Sequence, residues 1–162
     1  MRFRKIMFLL GLSLGLITLM SSQCETEDPI PNCNGIATAT ATGNIEQTFC
    51  FDNVTTYNYD PTTSISFWAR ESTTDIGFDM SISAVNNQAI TTGTYNCGSG
   101  EPGFVELILE NLTNGENEFY KSQSGTITLT QASESNFSAT FNVVAVGYYN
   151  GKSINFTGTV DK

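Results

Sequence analysis

Four glutamates in the second half of the chain have the residue type and spacing for acid–base chemistry: Glu106, Glu110, Glu116 and Glu118. A glycoside hydrolase uses two carboxyl groups ~5–10 Å apart across a cleft, one as the acid and the other as base or nucleophile. The sequence around these glutamates, however, predicts the polar face of one strand and its following loop. Solvated side chains are the ordinary outcome there, so we assign no catalytic residue and keep a glycosidase as the lesser alternative.

Aromatic side chains form a second set of candidates, this time for binding rather than catalysis. Trp68, Tyr57 and Tyr59, together with Tyr148 and Tyr149, could form a platform for a sugar or a peptide. A patch of exposed aromatic residues marks a binding site. Successive side chains of a strand point to opposite faces, so Trp68 faces outward if Phe67 faces the core. The alternative function is therefore a module that binds a glycan or a protein ligand through Trp68, Tyr57 and Tyr59, unless a loop or a second buried face of the sheet covers Trp68.

Acid and amide side chains cluster at Asp52, Asn53, Asn58 and Asp60. Oxygen ligands of this kind hold calcium, but their spacing matches no defined calcium-binding loop. Asp and Asn are also the common residues of turns. The sequence therefore predicts a turn-rich stretch here, with no metal site and no cofactor.

The chain contains no histidine, which removes the commonest general base and the commonest metal ligand. Its four cysteines form no CxxC pair, so their spacing does not indicate a zinc site. The function expected on this basis is binding or scaffolding without catalysis.

The N-terminus has the pattern of an export signal. Arg2, Arg4 and Lys5 precede an apolar stretch over residues 6–20. This stretch is short for a membrane-spanning helix, which needs ~20 apolar residues. We expect residues 1–23 to be a signal peptide.

Cys24 follows the apolar stretch and is the candidate lipidation site. The segment 20–24, Met-Ser-Ser-Gln-Cys, resembles a bacterial lipobox, although Gln23 stands where that motif has a small residue. The resemblance implies that Cys24 carries a lipid, with acyl chains such as palmitate, and anchors the protein to a membrane. The alternative is ordinary signal cleavage after Ser22, which gives a soluble periplasmic or secreted protein.

Acids directly after Cys24 define a tether, residues 24–35. The run Glu25-Thr26-Glu27-Asp28 resembles the acidic export tag of Bacteroidetes surface lipoproteins, which implies an outer-membrane protein exposed at the cell surface. Removal of residues 1–23 takes away three basic residues and changes the formal charge from −9 to −12. Nucleic acid is therefore not an expected partner.

Cysteine pairing depends on Cys24. If Cys24 is lipidated, Cys33, Cys50 and Cys97 remain, and one disulfide is expected in an oxidising compartment. The sequence leaves all three pairings open. We favour Cys50–Cys97, because both residues lie inside the predicted domain while Cys33 is close to the tether.

Residues 36–162 alternate between apolar and polar side chains with a period of two, which predicts half-buried strands. The clearest case is residues 75–83. Asn150-Gly151 between two such stretches predicts a hairpin with a type I′ turn. Nine or ten short strands predict a single all-β domain, an antiparallel sandwich of immunoglobulin-like or similar type, with a small β-barrel as the alternative.

Residues 36–162 also resemble the small β-sandwich lipoprotein domains of unknown function that are typical of Bacteroidetes. The segments that carry the resemblance are residues 37–42 (Ala-Thr-Ala-Thr-Ala-Thr), 92–95 (Thr-Gly-Thr-Tyr), 124–129 (Ser-Gly-Thr-Ile-Thr-Leu) and 151–160. The resemblance implies a sandwich-like fold and a surface lipoprotein, and it brings no catalytic residue.

Overall fold

The computed structural model describes residue 33, residues 35–110 and residues 117–162. The expected signal peptide, Cys24 and most of the expected tether lie outside the residues that the structure describes. The described strands belong to one compact unit, Asn32–Lys162. They are β1 (Ala37–Gly43), β2 (Gln47–Phe51), β3 (Asn53–Asp60), β4 (Ser64–Arg70), β5 (Ile76–Ser83), β6 (Gly93–Asn96), β7 (Gly103–Leu109), β8 (Glu118–Ala132), β9 (Phe137–Gly147) and β10 (Ser153–Asp161).

The ten strands form one antiparallel sheet that is nearly closed into a barrel. Its order is β2-β1-β10-β9-β8-β7-β5-β4-β3, with β6 paired to β8 beside this path. The predicted all-β antiparallel fold is confirmed, and the near-closure is consistent with both expected architectures. No helix among the described residues is long and apolar enough to span a membrane.

The two edge strands of the sheet, β2 and β3, are consecutive in the chain and are separated only by Asp52. The carboxylate of Asp52 accepts hydrogen bonds from the backbone N–H and the hydroxyl of Ser72, at 2.7 and 2.6 Å. The N–H of Cys50 donates to the carboxylate of Glu71 at 2.8 Å. The turn between β4 and β5 therefore holds the chain at the point where it crosses from one edge to the other.

Side-chain alternation produces the core. On β5, Phe78, Met80 and Ile82 are fully buried, whereas Asp79 and Ser81 lie on the outer face. The centre of the core is aromatic: the ring centroids of Phe78 lie 5.3 Å from Phe51 and 5.2 Å from Phe141. Aromatic pairs at such distances add to the stabilisation from burial alone.

Strand β8 is longer than the sequence predicts. The sequence predicts short strands throughout the domain, whereas β8 has 15 residues. Its first part pairs with β7 and its later part with β6, while β9 runs along both. Register shifts after Ser122 and Leu129 bend the strand, and these β-bulges interrupt the simple alternation that the sequence prediction relies on.

The prediction of a turn-rich stretch around Asp52, Asn53, Asn58 and Asp60 is wrong for most of its length, because Asn53–Asp60 forms β3. Asp60 ends this strand, and its carboxylate accepts hydrogen bonds from the backbone N–H and hydroxyl of Thr62. An edge strand tolerates polar residues that a central strand would not, since one side of its backbone has no strand partner. The described residues contain no group of three or more metal-ligating side chains that could hold an ion.

The preferred disulfide, Cys50–Cys97, is also wrong. Cys50 pairs with Cys33, with the two Cα atoms 5.6 Å apart, while Cys97 is a buried free thiol. Cys50 lies opposite Thr38 on the outer face of β2, whereas the Cys97 side chain belongs to the core. The two side chains therefore lie on opposite sides of the sheet. The bond instead ties the last part of the tether to the domain.

Candidate functional site

A row of polar side chains crosses the outer face of the sheet on four neighbouring strands. In register, Trp68 on β4 lies opposite Asp79 on β5, Asp79 opposite Glu106 on β7, and Glu106 opposite Lys121 on β8. Directly opposed residues bring their Cβ atoms ~4.5–5.5 Å apart, so these four side chains are neighbours on one face of the sheet. We call this set the charged row.

Asp79 and Glu106 place two carboxylates side by side in the charged row. Burial, and secondarily the charge of Glu106, raise the pKa of Asp79 to about 6. The negative charge of Glu106 is balanced by Lys121, whose ammonium lies 3.5 Å from the Glu106 carboxylate. Sequence reasoning missed Asp79 as a partner of Glu106, because only the register between β5 and β7 brings them together.

Trp68 faces outward as predicted, but it is half-buried and not an open platform. Its indole Nε1 lies over Gly77, where an added Cβ would be 3.4 Å away. The indole N–H is buried and has no hydrogen-bond partner among the residues that the structure describes, and the Arg70 guanidinium lies 5.4 Å from the ring centroid. The side chain covers the glycine of the next strand, so Trp68 is less exposed than a binding platform would be, and its role in binding stays a prediction.

Tyr57 and Tyr59 are partly buried, so the expectation that they are exposed is wrong. They lie opposite Phe67 and Ile65, on the inner face of β3, and both pack against the core. The Tyr57 hydroxyl donates a hydrogen bond to the backbone carbonyl of Ser133. These two tyrosines and Trp68 point to opposite faces of the sheet, so they do not form one site.

Tyr148 and Tyr149 are the aromatic residues that the fold exposes. Their exposed fractions are 67% and 68%, higher than those of the other exposed large hydrophobic residues in the described part of the chain. The two rings meet edge to face, with centroids 4.9 Å apart and an interplanar angle of 90°. They occupy the tip of the connection between β9 and β10, a position that the predicted hairpin at Asn150-Gly151 indicates.

The turn that carries these tyrosines differs from the predicted type I′ turn. That turn requires positive φ at both central residues. Gly151 has φ of 67°, but Asn150 is not among the residues with positive φ. The connection is therefore a longer loop, residues 148–152, closed by a hydrogen bond from the N–H of Gly147 to the carbonyl of Lys152 at 2.9 Å.

The tyrosine loop and the end of the charged row together border an open, shallow groove of about 240 Å³. It is lined by Glu106, Phe119, Lys121, Tyr148 and Tyr149. The Lys121 ammonium lies 5.4 Å from the ring centroid of Tyr148, within cation–π range. Aromatic walls with a small number of convergent polar groups are typical of ligand sites. We call this open groove the tyrosine groove.

The other glutamates considered as candidate catalytic residues do not lie together with Glu106 in the described structure. Glu110 forms an ion pair with Arg70, and Glu118 is buried, with its carboxylate 3.0 Å from the backbone nitrogen of Tyr149. Glu116 lies outside the described residues. Each of these glutamates in the described part thus has a different partner, and the carboxylate next to Glu106 is Asp79.

No family model, curated protein or solved structure matches this chain.

Proposed function

We propose that this chain is a lipid-anchored surface protein that binds carbohydrate in the tyrosine groove without catalysing a reaction. The observation that carries the binding proposal is the exposure of Tyr148 and Tyr149 beside an ion-paired acid and base. The two tyrosines leave much of their apolar area in water, and a ligand that covers them removes that area from water.

Carbohydrate is the ligand class that the groove fits best. The apolar C–H face of a sugar ring can pack on a tyrosine ring, and the sugar hydroxyls both donate and accept hydrogen bonds. Lys121 supplies donors and Glu106 supplies acceptors along the same wall. The pair is internally neutral, which suits an uncharged glycan.

The membrane anchor rests on the sequence alone, because Cys24 lies outside the described residues. The basic start, the apolar stretch and the position of Cys24 support a lipid on its thiol and an outer-membrane location facing the outside. Mass spectrometry of the mature N-terminus tests the anchor. We expect a chain that begins at a diacylated Cys24, and an unmodified chain that begins at Gln23 would refute the anchor while leaving the groove untouched.

A glycan array tests the binding proposal directly. The mature chain with Cys24→Ser, which removes the lipid, is compared with the same chain carrying Tyr148→Ala and Tyr149→Ala. We expect binding to neutral oligosaccharides that the double substitution abolishes. Val85→Ala is the matched control, because Val85 is also exposed but lines a different cavity. Binding only to peptides on a parallel peptide array would contradict the carbohydrate proposal.

A further inference from the structure

The loop that carries Tyr148 and Tyr149 is held by hydrogen bonds to strand β8. The N–H of Tyr148 donates to the carbonyl of Phe119 at 2.8 Å, and the N–H of Tyr149 donates to the carboxylate of Glu118 at 3.0 Å. Consecutive amides of the loop are thus held by consecutive residues of β8. Loops are generally more mobile than the strands they connect, and these two bonds attach both exposed positions of this loop to a strand.

Glu118 is an unusual residue for its position. It lies opposite Leu109 at the inner side of β8 and is only 6% exposed. A buried carboxylate is unfavourable unless its oxygens accept hydrogen bonds. Apolar side chains fill most inward positions of the sheet, so packing alone does not explain an acid here. Within the described part of the chain, Glu118 accepts a hydrogen bond from the backbone of the tyrosine loop.

Tyr120 provides a second attachment two residues further along the same face. Its side chain is 2% exposed, and its hydroxyl accepts hydrogen bonds from the side-chain amides of Asn150 at 2.8 Å and Asn44 at 3.0 Å. The side-chain Oδ1 of Asn150 in turn accepts a hydrogen bond from the backbone N–H of Lys152 at 2.7 Å. The hydroxyl therefore joins the tyrosine loop to the turn between β1 and β2.

We infer that Glu118 and Tyr120 are positioning residues that hold Tyr148 and Tyr149 in their binding arrangement before the ligand arrives. The inference rests on the proposed function, because it names what prepares the tyrosine groove. A ligand that binds a mobile loop must order it, and the entropy lost on ordering lowers the affinity. A loop that is already ordered avoids this loss. Neither residue lines the groove, so neither needs to touch the ligand to affect affinity.

The test separates loop order from global stability. Glu118→Leu replaces the acceptor carboxylate with an apolar side chain of similar size, and Glu118→Gln keeps an acceptor oxygen at the same place. Tyr120→Phe removes only the hydroxyl. Hydrogen exchange of the Tyr149 amide reports the loop, and the amide of Val143, in the centre of β9, reports the core. Titration with cellohexaose, xylohexaose and maltohexaose reports binding.

We expect Glu118→Leu and Tyr120→Phe to speed exchange at Tyr149 about ten-fold relative to Val143, and to weaken oligosaccharide binding by about the same factor. Glu118→Gln should leave the exchange rate at Tyr149 and the affinity for the oligosaccharide nearly unchanged. Unchanged exchange at Tyr149 in both variants would overturn the inference, and so would faster exchange with unchanged affinity. If the parent chain binds none of the oligosaccharides while exchange still rises at Tyr149, the proposed function fails and the attachment of the loop stands.

Discussion

Asp79 on β5 lies directly opposite Glu106 on β7, so two carboxylates share the outer face of the sheet. In the described part of the chain, Lys121 forms an ion pair with Glu106 and no ion pair involves Asp79. The pKa of Asp79 rises to about 6 because its charged form is partly removed from water and lies beside another anion. Such a group lowers the stability of the folded chain whenever it is ionised.

Asp79→Asn should therefore stabilise the protein at neutral pH. In the parent chain, the folded state binds the Asp79 proton more tightly than the unfolded state, so stability falls as the pH rises from about 4 to about 6. Asparagine removes this decrease. Allowing for solvent screening of a partly exposed group, we expect a gain of about 1 kcal/mol at about pH 8 and almost none at about pH 4.

Urea unfolding at these two pH values measures the effect. Glu134→Gln is the control, because it removes the same charge from an exposed turn. An equal gain for both variants at about pH 8 would show that the net charge of the chain, and not the site of Asp79, is responsible.

Removal of the Cys33–Cys50 bond should destabilise the domain. The bond closes a loop with a sequence separation of 17 residues, for which chain-entropy arguments give about 3 kcal/mol. We expect Cys33→Ala/Cys50→Ala to lower the free energy of unfolding by about 2–3 kcal/mol. Dithiothreitol should produce a similar loss in the parent chain and none in the double variant. A further loss in the double variant under reducing conditions would contradict this assignment of the only disulfide among the described residues.

Gly125 should be far less replaceable than Gly77. It lies at the irregular part of β8 with φ of 114°, and an added Cβ would be 2.2 Å from the backbone oxygen of Asn142 on β9. The nearest atom to a Cβ on Gly77 is the Trp68 Nε1 at 3.4 Å, an ordinary contact. We expect Gly125→Ala to cost about 2–4 kcal/mol and Gly77→Ala less than about 1 kcal/mol. Thermal unfolding of both variants measures this, and equal costs would contradict the register of β8 on β9.

The sequence predicts the parts of this fold that depend on local alternation. Phe78, Met80 and Ile82 are separated by polar residues, and the fold buries all three. Alternation is a poor guide where a polar strand lies at an edge, as in β3, since Asn and Asp are equally common in turns. It is also a poor guide where β-bulges shift the register, as along β8.

The site is harder to predict than the fold. Alternation correctly places Trp68 on the outer face, but exposure depends on the neighbour it covers, and that neighbour is Gly77 on another strand. Tyr57 and Tyr59 resemble Tyr148 and Tyr149 in sequence, as closely spaced tyrosines near Asn. Only the strand register separates the first pair, which packs inward, from the second pair at a loop tip.

Calorimetric titration of the mature Cys24→Ser chain with cellohexaose, xylohexaose and maltohexaose tests the central claim most directly, with Tyr149→Ala and Trp68→Phe measured alongside. If the tyrosine groove is the binding site, at least one oligosaccharide binds, Tyr149→Ala weakens it about ten-fold or more, and Trp68→Phe leaves it unchanged, since loss of one stacked aromatic ring costs about 1–2 kcal/mol. Binding that survives Tyr149→Ala but is lost with Trp68→Phe would contradict the claim.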